Sequence, residues 1–150
     1  MSDGEPPPNR GGAVTYDGAV RWRYRPHRDE RPDPGEVVWA WVSYAEDEGI
    51  GKDRPIAVVG LTRDDRLAAV MLSSRSRAGD DRWVSVGRGS WDAGGRESWA
   101  RIDRLLAVHS SAVRREGAAL PRDSFDRLVK ALGGRRTRSP LRALLGLVRR

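Results

Sequence analysis

Arg54 and the serine pair Ser73 and Ser74 are the residues whose types and spacing best suit phosphate chemistry. Arg54 stands directly before Pro55, at the start of the apolar run IAVVG. The serines close a second apolar run, AAVML, and Arg75 follows them. A guanidinium presents several donors in a planar arrangement that matches a phosphate, and a hydroxyl can donate to or accept from the same group. Together these residues indicate a phosphate-binding site.

The two apolar runs predict neighbouring antiparallel strands, which would bring the site residues together. The runs cover Pro55–Leu61 and Arg66–Ser74 and are joined by a turn around Asp64-Asp65. In an antiparallel pair, the entrance of one strand lies beside the exit of the next. Arg54 and a serine hydroxyl should therefore share one edge of the sheet. Three further basic residues are expected near that edge: Lys52, Arg75 and Arg77.

A purely structural role is the competing interpretation of these residues. Arg54 could form a surface salt bridge, and Ser73 and Ser74 could simply end a strand. Spacing alone favours neither interpretation.

Apolar patterning predicts three more strands and one clear helix. The first strand, Glu36–Ser43, is apolar on both faces and should be buried on both. The other strands are Arg82–Val86 and Ser98–Leu106. The helix covers Arg122–Leu132, and Gly133-Gly134 is expected to end it.

Two polar or glycine-rich segments are predicted to be loops. Tyr44–Asp53 is about ten residues long, enough to cover the site, and its acidic cluster Glu46-Asp47-Glu48 is expected to be solvated. Gly87–Gly95 lacks the glycine spacing of a dinucleotide-binding loop, and a strand follows it where a helix would be needed.

The chain is expected to form one domain between flexible ends. Residues 1–33 are predicted to be a disordered or loosely attached extension, in which Asp17-Gly18 could form a hairpin within Val14–Tyr24. Residues 34–133 are predicted to form the folded domain. Residues 134–150 are predicted to form a basic tail, with a short second helix opening at Ser139-Pro140.

Composition narrows the class of protein. There is no cysteine, and the only histidines are His27 and His109, so neither a disulfide framework nor a zinc site is expected. No metal and no cofactor are predicted. No apolar run is long enough to span a membrane, and the N-terminus lacks a signal-peptide core, so a cytoplasmic location is expected.

The basic excess is rich in arginine. Of the 28 basic residues only Lys52 and Lys130 are lysines, and the net charge is +7. Such a charge favours polyanions, although a GC-rich coding bias would produce the same excess.

The tryptophans are predicted to divide between the core and the surface. Trp39 and Trp83 stand in predicted strands and should pack in the core. Trp91 lies in the glycine-rich loop, where it could stack on a nucleobase or pack inward.

Five segments together carry a family resemblance. PGEVVWAWV, then GKDRPIAVVG, then AVMLSSR resemble the first three strands of the MazF/PemK toxins of type II toxin–antitoxin systems. SWARIDRLLAV and REGAALPRDSFDRLVKAL resemble the later strand and the C-terminal helix of that family. The resemblance covers about residues 34–132.

The resemblance implies a fold, an activity and partners. It implies a β-rich α+β fold, namely a small SH3-like β-barrel with a C-terminal helix, usually as a homodimer. The implied activity is metal-independent cleavage of single-stranded RNA, and the implied partner besides RNA is a cognate antitoxin. The family's Arg-Pro arginine maps to Arg54, and its hydroxyl maps to Ser73, or to Ser74 if the register slips by one. This sequence departs from the family in having serine for threonine and a second serine for glycine.

RNA chemistry is consistent with these residues. The 2′-OH of RNA is the nucleophile, so the expected products are a 2′,3′-cyclic phosphate and a 5′-OH. Arg54 would stabilise the charged transition state, since a guanidinium does not lose its proton. Ser73 would orient the phosphate or relay a proton, and Lys52 could protonate the leaving oxygen. Arg75, Arg77 and Trp91 are the predicted RNA-binding residues.

Two other functions fit the same sequence. A non-catalytic SH3-like barrel could bind an antitoxin-like peptide or nucleic acid. A gyrase-directed poison of the same fold would inhibit by binding alone.

Overall fold

The computed structural model describes residues 3–4, 12–21, 31–44 and 47–137. In these residues the chain forms ten strands, a short 3-10 helix (Ser110–Ala112) and one α-helix, α1 (Arg122–Thr137). The strands are β1 (Asp3–Gly4), β2 (Val14–Thr15), β3 (Val20–Arg21), β4 (Glu36–Tyr44), β5 (Asp47–Thr62), β6 (Leu67–Ser73), β7 (Trp83–Gly87), β8 (Ser98–Arg101), β9 (Leu106–Val108) and β10 (Arg114–Ala119).

The strands form a strongly connected antiparallel sheet, which confirms the predicted β-rich α+β class. The main path runs β10-β4-β5-β6-β8-β7, and it is open between its two ends in the part of the chain that the structure describes. β9 pairs with β6 and β2, while β1 and β3 pair with β5. β6 therefore joins two groups of strands, because it pairs with β5 and β9 and then with β8.

The sheet buries apolar residues on both faces. The helix-side core contains Leu128 and Leu132 of α1, and β5 contributes Ala57 and Val59 to it. The far-side core lies on the other face, where β5 contributes Ile56 and Val58. This alternation explains why the run IAVVG has no polar position, since both faces of β5 need apolar side chains.

The predicted loop Tyr44–Asp53 is instead the end of a long β-hairpin. β4 continues to Tyr44, and its ladder with β5 includes the pairs Val42↔Lys52 and Ser43↔Gly51. Gly51 permits this pairing, since a Cβ there would overlap the carbonyl of Val42 and the ring of Trp41. The prediction of a loop was wrong because polar residues can still form a strand when their backbone groups are paired.

The predicted strand Ser98–Leu106 is divided into β8 and β9. Between them Arg104 is only 5% exposed, and its guanidinium donates hydrogen bonds to the hydroxyls of Thr15 (2.8 Å) and Ser43 (3.2 Å). Burying that side chain requires the strand to break and turn. The structure also adds β10, which sequence patterning did not predict.

Helix α1 continues through Gly133-Gly134 to Thr137, so the expected glycine stop was wrong. The expected second helix at Ser139-Pro140 lies outside the described residues.

Residues 12–21 are integrated into the fold, which corrects the expectation of a loose extension for that segment. Ala13 is fully buried; its N–H donates to the Trp41 carbonyl (2.7 Å) and its carbonyl accepts from the Ser43 N–H (3.0 Å). The hairpin expected around Asp17-Gly18 does not form, because β2 pairs with β9 and β3 pairs with β5. Residues 22–24 of that segment lie outside the described residues.

Among the described residues, no helix is both long enough and apolar enough to cross a membrane.

Replacing Leu128 by alanine should destabilise the fold substantially. Leu128 is fully buried in the helix-side core, so the truncation leaves a cavity and should lower the free energy of unfolding by about 2–5 kcal/mol. Lys130→Ala, an exposed change on the same helix, is the matched control and should cost less than about 0.5 kcal/mol. Chemical denaturation measures both. Equal effects would mean that α1 is not anchored through Leu128.

Candidate phosphate-binding site

Extending the register of the neighbouring strands β5 and β6 sets Arg54 opposite Ser73. The last paired residues at this end are Ile56 and Met71, and the same register continued by two residues sets Arg54 opposite Ser73. Side chains alternate with a period of two, so Arg54 and Ser73 share the face of the far-side core. Adjacent strands lie about 4.8 Å apart, which allows a guanidinium and a hydroxyl to reach one ligand.

Arg54 is held by its position in the strand. It pairs with Ala40 of β4, a small and buried residue that leaves room for the arginine stem. The side chain is partly buried, and its Nε is fully buried. Because the Nε end of the guanidinium is buried, the group has few available orientations, and its terminal N–H donors have a defined direction.

Lys52 lies two residues before Arg54 and therefore on the same face. It pairs with Val42 of β4 on one side and with Asp3 of β1 on the other. The two cations are thus neighbours along one strand.

Asp53, between these cations, is directed to the opposite face. Its carboxylate accepts two hydrogen bonds from Arg114 of β10, at 3.1 and 2.6 Å. The hydrogen bond to Asp53 raises the pKa of Arg114 above its ordinary value. Because Asp53 is engaged on that face, its negative charge is directed away from Lys52 and Arg54, and their face stays cationic.

Ser73 is the last residue of β6, and Ser74 lies beyond it in a bend. The Ser73 Oγ accepts a hydrogen bond from the backbone N–H of Arg75 at 3.2 Å. This bond uses the oxygen as acceptor, so the hydroxyl keeps its hydrogen to donate to a ligand. The strand register therefore favours Ser73 over Ser74 as the partner of Arg54.

Arg77 is fixed against an aromatic ring, whereas Arg75 is exposed. The Arg77 guanidinium carbon lies 4.4 Å from the ring centre of Trp83, a cation–π contact. Trp83 in turn packs against the far-side core, as its strand position predicted. Trp39, the other tryptophan predicted to be in the core, is only partly buried.

Trp91 does not present its ring for base stacking, which corrects that expectation. It is 5% exposed in the helix-side core, and its indole N–H donates to the Ser98 hydroxyl at 2.9 Å. Gly89 allows the burial, because a Cβ there would overlap the indole. A buried indole with a satisfied N–H is a core residue.

Trp99 is the aromatic residue near the site that sequence reasoning did not single out. It is partly exposed and pairs directly with Ser73 across β6 and β8. The signal was present in the alternation of Trp99 with Ala100, but the position of β8 next to β6 was not readable from the sequence.

A groove of about 490 Å³ lies elsewhere, between the start of β4, β10 and the start of α1. Glu36, Arg115 and Phe125 are among its lining residues, and it contains none of the predicted site residues. Within the described part of the chain, no group of three or more histidine, aspartate or glutamate side chains is arranged to hold a metal ion.

Comparison with known protein families gives a match. The model of a family described as PemK-like, MazF-like toxin of type II toxin–antitoxin system matches residues 33–133. No curated protein matches the chain.

The segment that carries Arg77 should retain its local structure to very low pH. The Asp80 carboxylate accepts hydrogen bonds from the Arg82 side chain (2.8 and 3.0 Å) and from the Arg82 backbone N–H (3.0 Å). These bonds, chiefly those from the side chain, lower the pKa of Asp80 from 3.8 to about 2. A lowered pKa means that this stabilisation is complete above pH 3.8 and is lost as the pH falls through about 2.

The chemical shift of the Arg82 amide, followed by NMR, reports this titration. It should change with a midpoint near pH 2 in the wild type and lose that transition in Asp80→Asn. A wild-type midpoint at pH 3.8 would show that Arg82 does not hold the carboxylate.

Proposed function

This chain belongs to the PemK-like, MazF-like toxin family of type II toxin–antitoxin systems, and we propose that it cleaves single-stranded RNA without a metal. Membership supports the class of activity, a toxin-type endoribonuclease, and implies an antitoxin partner. The chain's own residues support the finer statements about the site, the substrate and the mechanism.

The observation that carries the proposal is the juxtaposition of Arg54 and Ser73. The β5–β6 register, continued by two residues past the pair Ile56↔Met71, sets them opposite one another on one face of the sheet. Lys52 shares that face, while Asp53 is engaged by Arg114 on the other. A guanidinium, a hydroxyl and an ammonium group on one face suit a phosphodiester.

The reaction proposed is an internal transesterification. The 2′-oxygen of the RNA attacks the adjacent phosphorus and loses its proton to water, and the bond from phosphorus to the 5′-oxygen breaks. The products are a 2′,3′-cyclic phosphate and a 5′-OH. Since the substrate itself contains the nucleophile, the protein has to supply orientation, charge stabilisation and a proton for the leaving oxygen.

Each site residue has a distinct role in this proposal. Arg54 stays protonated and stabilises the negative charge of the pentacoordinate phosphorus, an effect of about 3–4 kcal/mol for one well-placed donor. Ser73 orients the phosphate through its hydroxyl hydrogen. Lys52 donates the proton that the 5′-oxygen takes as it leaves. Arg75 and Arg77 bind flanking phosphates, so binding should weaken as salt is raised.

We further propose that the protein acts in the cytoplasm as a homodimer and that a cognate antitoxin restrains it. The family assignment is the support for these statements. The alternative function is a non-catalytic module that binds RNA or peptide without cutting it. The following experiment distinguishes this alternative from the ribonuclease.

Arg54→Ala should abolish most of the cleavage. Removing one donor to the developing charge should reduce kcat by about 10²–10³-fold. Arg63→Ala is the matched control, because Arg63 is exposed at the opposite end of the same strand pair. The measurement is primer extension on a long single-stranded RNA incubated with purified protein in EDTA.

Discrete cuts in the wild type and in Arg63→Ala, but not in Arg54→Ala, would support the proposal. RNA that stays intact at high protein concentration would favour the non-catalytic module. Equal cutting by all three proteins would assign the activity to another site.

Ser73→Ala and Ser74→Ala should differ in their effect. The hydroxyl of Ser73 stands on the same face as Arg54, so its removal should lower kcat by about 10²-fold, while Ser74→Ala should stay within about twofold of wild type. Single-turnover kinetics on an oligonucleotide containing a mapped cut separates chemistry from binding. The reverse order would place the working hydroxyl at Ser74 and contradict the register used here.

A further inference from the structure

Two residues of the sheet, Trp99 and Ser85, continue the site beyond Ser73. Across β6 and β8, Ser73 pairs with Trp99, and across β8 and β7, Trp99 pairs with Ser85. Paired residues of adjacent strands share a face, so these side chains form a row. With Arg54 set opposite Ser73 by the continued register of β5 and β6, the row runs over four strands in the order Arg54, Ser73, Trp99, Ser85.

Trp99 differs from the other tryptophans that the structure describes. Trp41 and Trp91 are buried, and Trp83 has the guanidinium of Arg77 over its ring. Trp39 pairs with Pro55 and stands on the opposite face from Arg54. Trp99 is partly exposed and next to Ser73 in the row.

The charges around the row differ between its two ends. Lys52 and Arg54 lie at the Ser73 end, whereas Arg77 lies over the ring of Trp83, two residues from Ser85 on β7. At the far end the Ser85 hydroxyl donates to the Glu97 carboxylate. Beside Trp99 on β8, Arg101 is engaged by Asp103 at 2.6 Å, which reduces its attraction for phosphate. An RNA backbone is therefore attracted more strongly to the Ser73 end, where two cations share the face, than to the Ser85 end, where the Glu97 carboxylate offsets the charge of Arg77.

We propose that Trp99 is a nucleobase platform, which stacks on the base of a nucleotide directly flanking the phosphate held by Arg54 and Ser73. This inference rests on the proposed function for the position of that phosphate. Adjacent strands are about 4.8 Å apart, so Trp99 is one strand away from Ser73, within reach of a base attached to the neighbouring sugar.

Stacking at this position has a defined consequence for recognition. An indole can stack on any base, because every base presents a π-face. Trp99 therefore strengthens binding at one nucleotide position without selecting the base there. Its loss should raise KM or Kd and leave the cut sequence unchanged.

The test is a double-perturbation cycle between Trp99 and the RNA. The ligand is a fluorescent RNA oligonucleotide with a 2′-deoxy nucleotide at the cut, so that it binds without being cleaved, and one abasic site is moved along it. Fluorescence anisotropy gives Kd for the full-length wild type, Trp99→Leu and Trp99→Phe. Trp39→Leu is the matched control, since it is another partly buried tryptophan, on the opposite face.

The expected result is coupling at one nucleotide. One abasic position should weaken wild-type binding by about tenfold. Trp99→Leu should weaken binding of the intact RNA by a similar factor and show no additional loss with that abasic oligonucleotide. Trp99→Phe should restore most of the affinity, and Trp39→Leu should keep the wild-type sensitivity.

Other results overturn the inference. If the increase in Kd caused by Trp99→Leu and the increase caused by each abasic site simply multiply, Trp99 does not stack on a base and acts only through the fold. If Trp99→Leu binds like wild type, the residue does not contact RNA. If the folded wild type binds no RNA, both this inference and the proposed function fail.

Coupling without any cleavage of unmodified RNA would contradict the proposed ribonuclease activity and still support Trp99 as a nucleobase platform.

Discussion

The register between β5 and β6 is the constraint on which the candidate site depends. Strand side chains alternate, so a slip of one residue would exchange the faces of an entire strand. On β5 the alternation is fixed by burial, since Ala57 and Val59 belong to the helix-side core and Ile56 and Val58 to the far-side core. The packing of apolar residues thus determines which polar side chains meet at the strand ends. The site follows from the core, although none of its proposed catalytic residues is itself fully buried.

The same alternation separates charges that are adjacent in sequence. Lys52, Asp53 and Arg54 would largely cancel if their side chains shared one face. On a strand, the aspartate is directed to β10, where Arg114 binds it, and the two cations stay together on the other side. The tripeptide Lys52–Arg54 therefore gives one face the positive charge that suits a phosphodiester. Its carboxylate is not left unpaired, since Arg114 binds it. At the Ser85 end of the row, the Glu97 carboxylate reduces the positive charge of the face.

Sequence reasoning was sufficient where a feature depended on local pattern and failed where it depended on distant contacts. Apolar runs and their spacing were enough to expect Arg54 and a serine hydroxyl at one edge of the sheet, because an antiparallel pair leaves little freedom, but they did not choose between Ser73 and Ser74. The burial of Trp91 depends on Gly89 and Ser98, and neither has an apolar signal. The break between β8 and β9 depends on hydroxyls that lie far from Arg104 in the chain. Likewise, the position of Trp99 depends on which strand lies next to β6, and this order cannot be read from alternation.

The long-range anchoring of β2 also concerns how the protein is made. The hydrogen bond between Arg104 and Thr15 joins residues 89 positions apart, and β2 pairs with β9. A ribosome adds about 5–20 residues per second, so roughly 5–20 s of synthesis separate the emergence of these two partners. During that interval β4, β5 and β6 can pair, because they follow one another in the chain, and Ala13 can already bond to β4, whereas β2 still lacks its partner β9. The nascent chain thus acquires the strand pair that carries Arg54 and Ser73 before it acquires the contacts that close the fold around it.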